Sequence, residues 1–264
     1  MNCWENTFRT AYYIAKSDRS FSDFTFLVKL QELGGAEFAK DFNSDKACAL
    51  IVETIASTMQ STVAKNIYEN ESKIVILIND STILSSSFNI FLKTVVNSSA
   101  PKYLFLDIFE VKGITATELV ESLEETLHKH GFSKEWLSQN FVGFTTVGTH
   151  YMFGKKRGLD THLKKKYPSI VTQHSRPSEC EKEFRSMNGI IKRLYSNLQI
   201  ENVSQLLFLI LNGPPVEEFD ATFFTENWGS KLLELDLEDR KYRALEKDDE
   251  FFTPEKSPLY DLLS

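Results

Sequence analysis

Residues 73–82 read KIVILINDST, and this stretch decides the fold. Ile74, Val75, Ile76, Leu77 and Ile78 run without a polar break, the pattern of a strand buried on both faces. The run ends abruptly in Asn79-Asp80-Ser81-Thr82. Carboxylates at the end of such a strand are where many nucleic-acid enzymes hold metal ions. The function therefore turns on whether this position, and the partners it would need, still carry acids.

Downstream, FNIFLKTVV (Phe88–Val96) and YLFLDIFEV (Tyr103–Val111) read as two further strands. The links between them, around Ser85–Ser87 and Asn97–Pro101, are short and turn-rich, which predicts an antiparallel meander. Thr115 can cap a helix over Ala116–His130, with Leu119, Leu123 and Leu127 facing inward and Gly131 past its end. A fourth strand follows at Phe141–Thr145, then a helix around Met152–Lys165 and a short strand at Ser169–Val171. A meander followed by crossover units is the order of a ribonuclease H-like mixed sheet, so the fold class is α/β.

Helices flank this core on both sides. Phe8, Ala11, Tyr12 and Ala15 recur at helical spacing. Ser22 can cap a second helix with Phe24, Leu27, Val28 and Leu33 inward, stopped by Gly34-Gly35. Ser44 can cap a third, patterned by Ala47, Leu50, Ile51, Ile55, Met59, Val63 and Ile67. Near the other end, Phe184, Met187, Ile190, Ile191 and Leu194 fit one amphipathic helix, and Val203, Leu206, Leu207, Leu209 and Ile210 another. Gly213-Pro214-Pro215 stops the second, and a last helix is expected over Phe219–Leu233. The reading divides the chain into a helical region 1–70, a core 71–173, C-terminal helices 174–234 and an acidic, mobile tail 235–264.

The net charge of −7 excludes wholesale attraction to nucleic acid or an anionic membrane, so any such contact needs a local patch. Cys3, Cys48 and Cys180 are odd in number and have no metal spacing, which fits a reducing compartment rather than a disulfide framework. No apolar run approaches the ~20 residues of a membrane span, and the N-terminus lacks a signal-peptide pattern. No metal and no cofactor are expected.

Four stretches resemble the hAT transposase superfamily in its domesticated, transposase-derived form. LINDST is similar to the first catalytic strand end, and EVKGITATELVESLEETL to the third strand and its helix. FVGFTTVGTHYMFGKKRGLDTHLKKKYP resembles the second catalytic segment. CEKEFRSMNGIIKRLYSNLQIENVSQLLFLILNGPPVEEFD is similar to the C-terminal dimerisation region. The family cleaves and transfers DNA strands with three carboxylates that hold two divalent metals about 4 Å apart. The resemblance puts the first carboxylate position on Asn79, the second on Val147 and the third on Glu181, and only the third is an acid. Asp80 sits one residue off, and strand alternation points it to the opposite face. The family's large helical insertion is missing, with the joint near His174–Ser178, and so is its N-terminal zinc module. The expectation is a nuclear (alternatively cytoplasmic) pseudoenzyme, inactive as a nuclease, that binds a protein partner or itself as a homodimer.

Other features carry competing readings. Lys155, Lys156, Arg157, Lys164, Lys165 and Lys166 form two basic clusters: a phosphate-contacting face of weak affinity, a nuclear import signal or simply a solvated helix face. IVILINDS resembles a SUMO-interacting motif, which docks by strand addition, against the plainer reading of a buried central strand. One vertebrate member of the resembled group is a SUMO-protein ligase, so SUMO transfer is an alternative function, as is a chromatin or DNA-binding regulator. Phe184, Met187, Ile191, Leu194, Leu206, Leu207, Ile210 and Trp228 are the dimerisation candidates, with packing on the chain's own sheet as the rival reading. His128 and His130 are expected at the surface, near a helix C-terminus.

Overall fold

The computed structural model describes residues 3–40, 42–80, 87–95, 100–111, 115–147, 158–174, 200–226 and 228. The backbone of Asp80, Val147 and His174 is described without their side chains. The chain divides into two compact units, Met1–Ile55 with Pro214–Ser264, and Ala56–Gly213. This cut falls inside the third helix rather than at residue 70, and it groups the start of the chain with its end.

The second unit holds a five-stranded sheet of order β3-β2-β1-β4-β5. Its strands are β1 (Ile74–Asp80), β2 (Ser87–Thr94), β3 (Lys102–Glu110), β4 (Phe141–Val147) and β5 (Val171–His174). β1 pairs antiparallel with β2, and β2 with β3, which is the expected meander. β4 runs parallel to β1, and β5 parallel to β4. β5 lies slightly later than the expected Ser169–Val171. Parallel neighbours need crossovers, and helices supply them: α4 (Ala116–Lys129) and α5 (Lys134–Asn140) between β3 and β4, α6 (Leu159–Lys166) between β4 and β5. α5 is absent from the sequence reading.

The apolar run of β1 follows from its central position. Both of its edges are paired, and Ile74, Ile76 and Ile78 share one face. There they join a core with Leu119, Leu123 and Leu127 of α4, Leu159 and Leu163 of α6, and Ala64 and Ile67 of α3 (Asp45–Glu69). Burying each such aliphatic side chain contributes roughly 1.5–3 kcal/mol. The start of α4 is fixed locally. Thr115 Oγ1 accepts from the Glu118 N–H, and the Glu118 carboxylate accepts from the Thr115 N–H at 3.0 Å, a complete capping box. Gly131 follows at φ +90°, a left-handed position that a β-carbon would strain.

The outer edge of β3 is covered by α7 (Ile200–Asn212). The Asn212 amide donates to the Phe105 C=O at 2.7 Å, and its oxygen accepts from the Phe105 N–H at 3.1 Å. A register shift opposite Ile90/Phe91 marks a bulge in β3, and the Leu106 C=O there accepts from the Gln60 amide at 3.2 Å. Side chains thus take up main-chain groups that an edge strand would otherwise leave open.

The first unit contains α1 (Cys3–Lys16), α2 (Ser22–Leu33) and the start of α3. Phe8, Ala11, Tyr12 and Ala15 are all buried, as their spacing predicts. Tyr12 stacks on Phe219 at 3.9 Å and donates its hydroxyl to the Pro214 C=O at 2.6 Å. Phe8 and Phe42 both meet Trp228 edge-on. Ser44 caps α3 as expected, accepting from the Ala47 N–H at 3.2 Å. Ser22 does not cap α2. It is the first helical residue, and Ser20 Oγ accepts from its N–H. α2 buries Phe24 and Val28 but leaves Leu33 in solvent, because five residues beyond Val28 is nearly half a turn away from the buried face. The expected helix after Phe219 is described over residues 221–226, started by Asp220, whose carboxylate accepts from the Thr222 N–H at 3.1 Å.

α3 also qualifies the sequence reading of membrane spans. By length and composition it is long and apolar enough to cross a membrane. Its residues Ile51, Ile55 and Ile67 are buried in the chain.

Candidate functional site

The end of β1 brings together two of the three positions that the family resemblance marks as catalytic. Asn79 is registered with Val147 across the parallel β1–β4 pair and with Asn89 across the antiparallel β1–β2 pair. Adjacent parallel strands that end side by side are where two carboxylates would face one metal site. Here the buried residue at the first position is an amide and the second is aliphatic. An amide offers one neutral carbonyl oxygen and two N–H donors, and an isopropyl group offers nothing to a cation. This pair cannot neutralise two divalent ions.

Two described polar residues nearby are also neutral. Asn89 and Thr146 are buried, and neither the Asn89 amide atoms nor Thr146 Oγ1 has a hydrogen-bond partner. Each such group costs about 1–3 kcal/mol. Asp80 closes β1 opposite Phe88. Glu181, the third position, lies outside the described residues. Among the described residues, no three His, Cys, Asp or Glu side chains are grouped to hold a metal.

The SUMO-motif stretch is a central strand with both edges occupied by β2 and β4. Strand addition needs a free edge, so β1 cannot dock a partner in this way.

The described part of the basic cluster lies on the last turn of α6, where Lys164, Lys165 and Lys166 are exposed. Lys166 is not a spare cation, because its ammonium pairs with the buried carboxylate of Glu124. The Tyr167 hydroxyl donates to the same carboxylate at 2.8 Å. Burial and the bond to Glu124 both push the Tyr167 pKa upward. Lys155, Lys156 and Arg157 lie outside the described residues.

Of the dimerisation candidates, Leu206, Leu207 and Trp228 are buried within the chain and Ile210 is half-buried. α7 presents Leu206 and Leu207 inward, as packing in the chain's own core requires. Phe184, Met187, Ile191 and Leu194 lie outside the described residues.

A further polar cluster was not anticipated. Asp107, buried on β3, accepts from Ser204 Oγ at 2.5 Å and from its own neighbour's N–H, Ile108, at 2.8 Å. Its other oxygen takes His130 Nε2 at 2.9 Å and Lys129 Nζ at 3.4 Å. His130 is therefore not a surface residue, since its side chain is only 9% exposed and is committed to Asp107. Burial raises the Asp107 pKa, the largest single effect. The hydrogen bonds from His130 and Ser204, with the charges of His130 and Lys129, outweigh it and hold the carboxyl below its usual range. The order of contacts is not that of a hydrolytic triad: the carboxylate sits between the serine and the imidazole, and the Ser204 hydroxyl donates to Asp107 rather than to His130. The cluster instead ties β3 to the end of α4 and to α7. Nothing short-range in the sequence pairs Asp107 with Ser204.

No family model matches the chain.

Proposed function

We propose that the chain is a transposase-derived, ribonuclease H-like pseudoenzyme that works by binding protein, itself or a partner. The sheet order β3-β2-β1-β4-β5, with an antiparallel meander and two parallel additions, supports the ribonuclease H-like reading. The observation that carries the loss of catalysis is the pairing of Asn79 with Val147 at the strand ends where acids would be needed. A lone Glu181 leaves two metal ions without their bridging and flanking ligands. On this reading the work is nuclear and non-catalytic, and any DNA contact falls to exposed lysines such as Lys164 and Lys165.

The test is a cleavage assay on supercoiled and linear DNA with Mg²⁺ or Mn²⁺. The expected result is no nicking above that of the Glu181→Gln variant. Nicking by the wild type that vanishes in Glu181→Gln overturns the pseudoenzyme reading.

A further inference from the structure

A cavity of about 650 Å³ in the first unit is lined by the first turn of α1, the last turn of α2 and the chain that follows α2. Its volume falls within the ~300–1,000 Å³ typical of ligand sites. Trp4 and Phe42 supply aromatic wall. Their ring centroids are 5.0 Å apart and their planes are inclined at 55°, so the rings form a corner rather than a closed stack. Both residues are half-buried, which leaves ring surface open. Exposed Glu32 and Glu37 line the same space. Neither carboxylate pairs with a cation among the described residues. Lys40 lines it too, so the wall carries two negative charges against one positive. The wall is held in place by α1. The Asn6 amide donates to the Glu37 C=O at 3.0 Å, and Thr7 Oγ1 accepts from the Ala39 N–H at 3.1 Å.

We propose that this cavity takes a cationic side chain, lysine or arginine, of a partner protein. This deepens the protein-binding reading, on which it rests, by naming the class of group recognised. An aromatic face attracts a cation through its quadrupole, most strongly in tryptophan. Carboxylates beside the ring add charge attraction and accept the N–H donors of the cation. The apolar stem of lysine or arginine lies along the rings while its charged head stays with the acids. An acidic side chain would instead meet two like charges and two ring faces. The chain's net charge of −7 also steers basic partners toward it.

The test titrates short peptides into the full chain, each uncharged except for a central lysine, arginine or glutamate. The main-chain N–H signals of Glu37 and Ala39 are followed by NMR. The lysine and arginine peptides should shift them saturably, with a dissociation constant on the order of 1 mM that rises with added salt. The glutamate peptide should leave them unmoved. Trp4→Leu and Glu32→Gln/Glu37→Gln should each weaken binding by about three-fold or more, and Lys40→Met should tighten it. Glu32→Gln/Glu37→Gln alters only exposed groups, so it reads the site even where Trp4→Leu disturbs the contact of Trp4 with Phe8. No saturable shift with either cationic peptide, or equal binding of the glutamate peptide, overturns the cavity assignment. Sedimentation of the full chain tests the protein-binding reading separately: self-association that persists in Glu32→Gln/Glu37→Gln leaves that reading standing whatever the peptides do.

Discussion

The Asn212 side chain pairs with the main chain of Phe105 as a neighbouring strand would, donating to its C=O and accepting from its N–H. One amide thus closes part of the open edge of β3 from the last residue of α7. Truncation leaves a donor and an acceptor open at once. Asn212→Ala is expected to cost about 1–3 kcal/mol, read from chemical denaturation. The Phe105 amide should exchange with solvent markedly faster, because its only partner on that side is gone. Unchanged exchange at Phe105 would show that the pairing contributes nothing.

Asp107 makes the second attachment of α7 dependent on pH. Its folded-state pKa lies below the unfolded one, so its contribution is complete above the ordinary carboxylate value of 3.8. It is lost as pH falls through the lower folded value. Stability should therefore decline in acid more steeply for the wild type than for Asp107→Asn. At neutral pH the Asp107→Asn variant should be weaker by roughly 1–3 kcal/mol, since it gives up charge-assisted bonds from His130 and Ser204. Parallel pH profiles for the two proteins would remove Asp107 from the account.

Gly143 on β4 lies opposite Val75 on β1, just past a register shift. A β-carbon at Gly143 would stand 3.1 and 3.2 Å from the two Val75 methyls. That is closer than packed carbons tolerate, and the central strand has little room to yield. Gly143→Ala should cost about 1–3 kcal/mol, with part of the loss recovered by Val75→Ala in the same chain. Additive effects in that double-mutant cycle would mean that the contact is not the cause.

The parts of the fold legible in the sequence are those set by local chemistry. The uninterrupted β1 run, the Thr115 capping box and the Gly131 stop are each written in a few consecutive residues. α5 is hard to read in the sequence because seven residues, about two turns, are too few to establish an apolar repeat, although Ser133 caps it by accepting from the Trp136 N–H. The partnership of Asp107 with Ser204 spans 97 residues and leaves no local signal. α2 was misread in its last turn for another reason: composition reveals how much of a helix is apolar, while its neighbours decide which apolar face is covered. At the candidate site, the neutral Asn79 and Val147 were legible as residue types. Their direct pairing across β1 and β4 took the register to establish.

On the pseudoenzyme reading proposed above, the end of β1 holds no catalytic metal. Titration of Mn²⁺ against the purified chain, followed by electron paramagnetic resonance, tests it most directly. A signal from free Mn²⁺ is expected at every ratio, unchanged by Glu181→Gln. Stoichiometric Mn²⁺ binding that Glu181→Gln abolishes would contradict it.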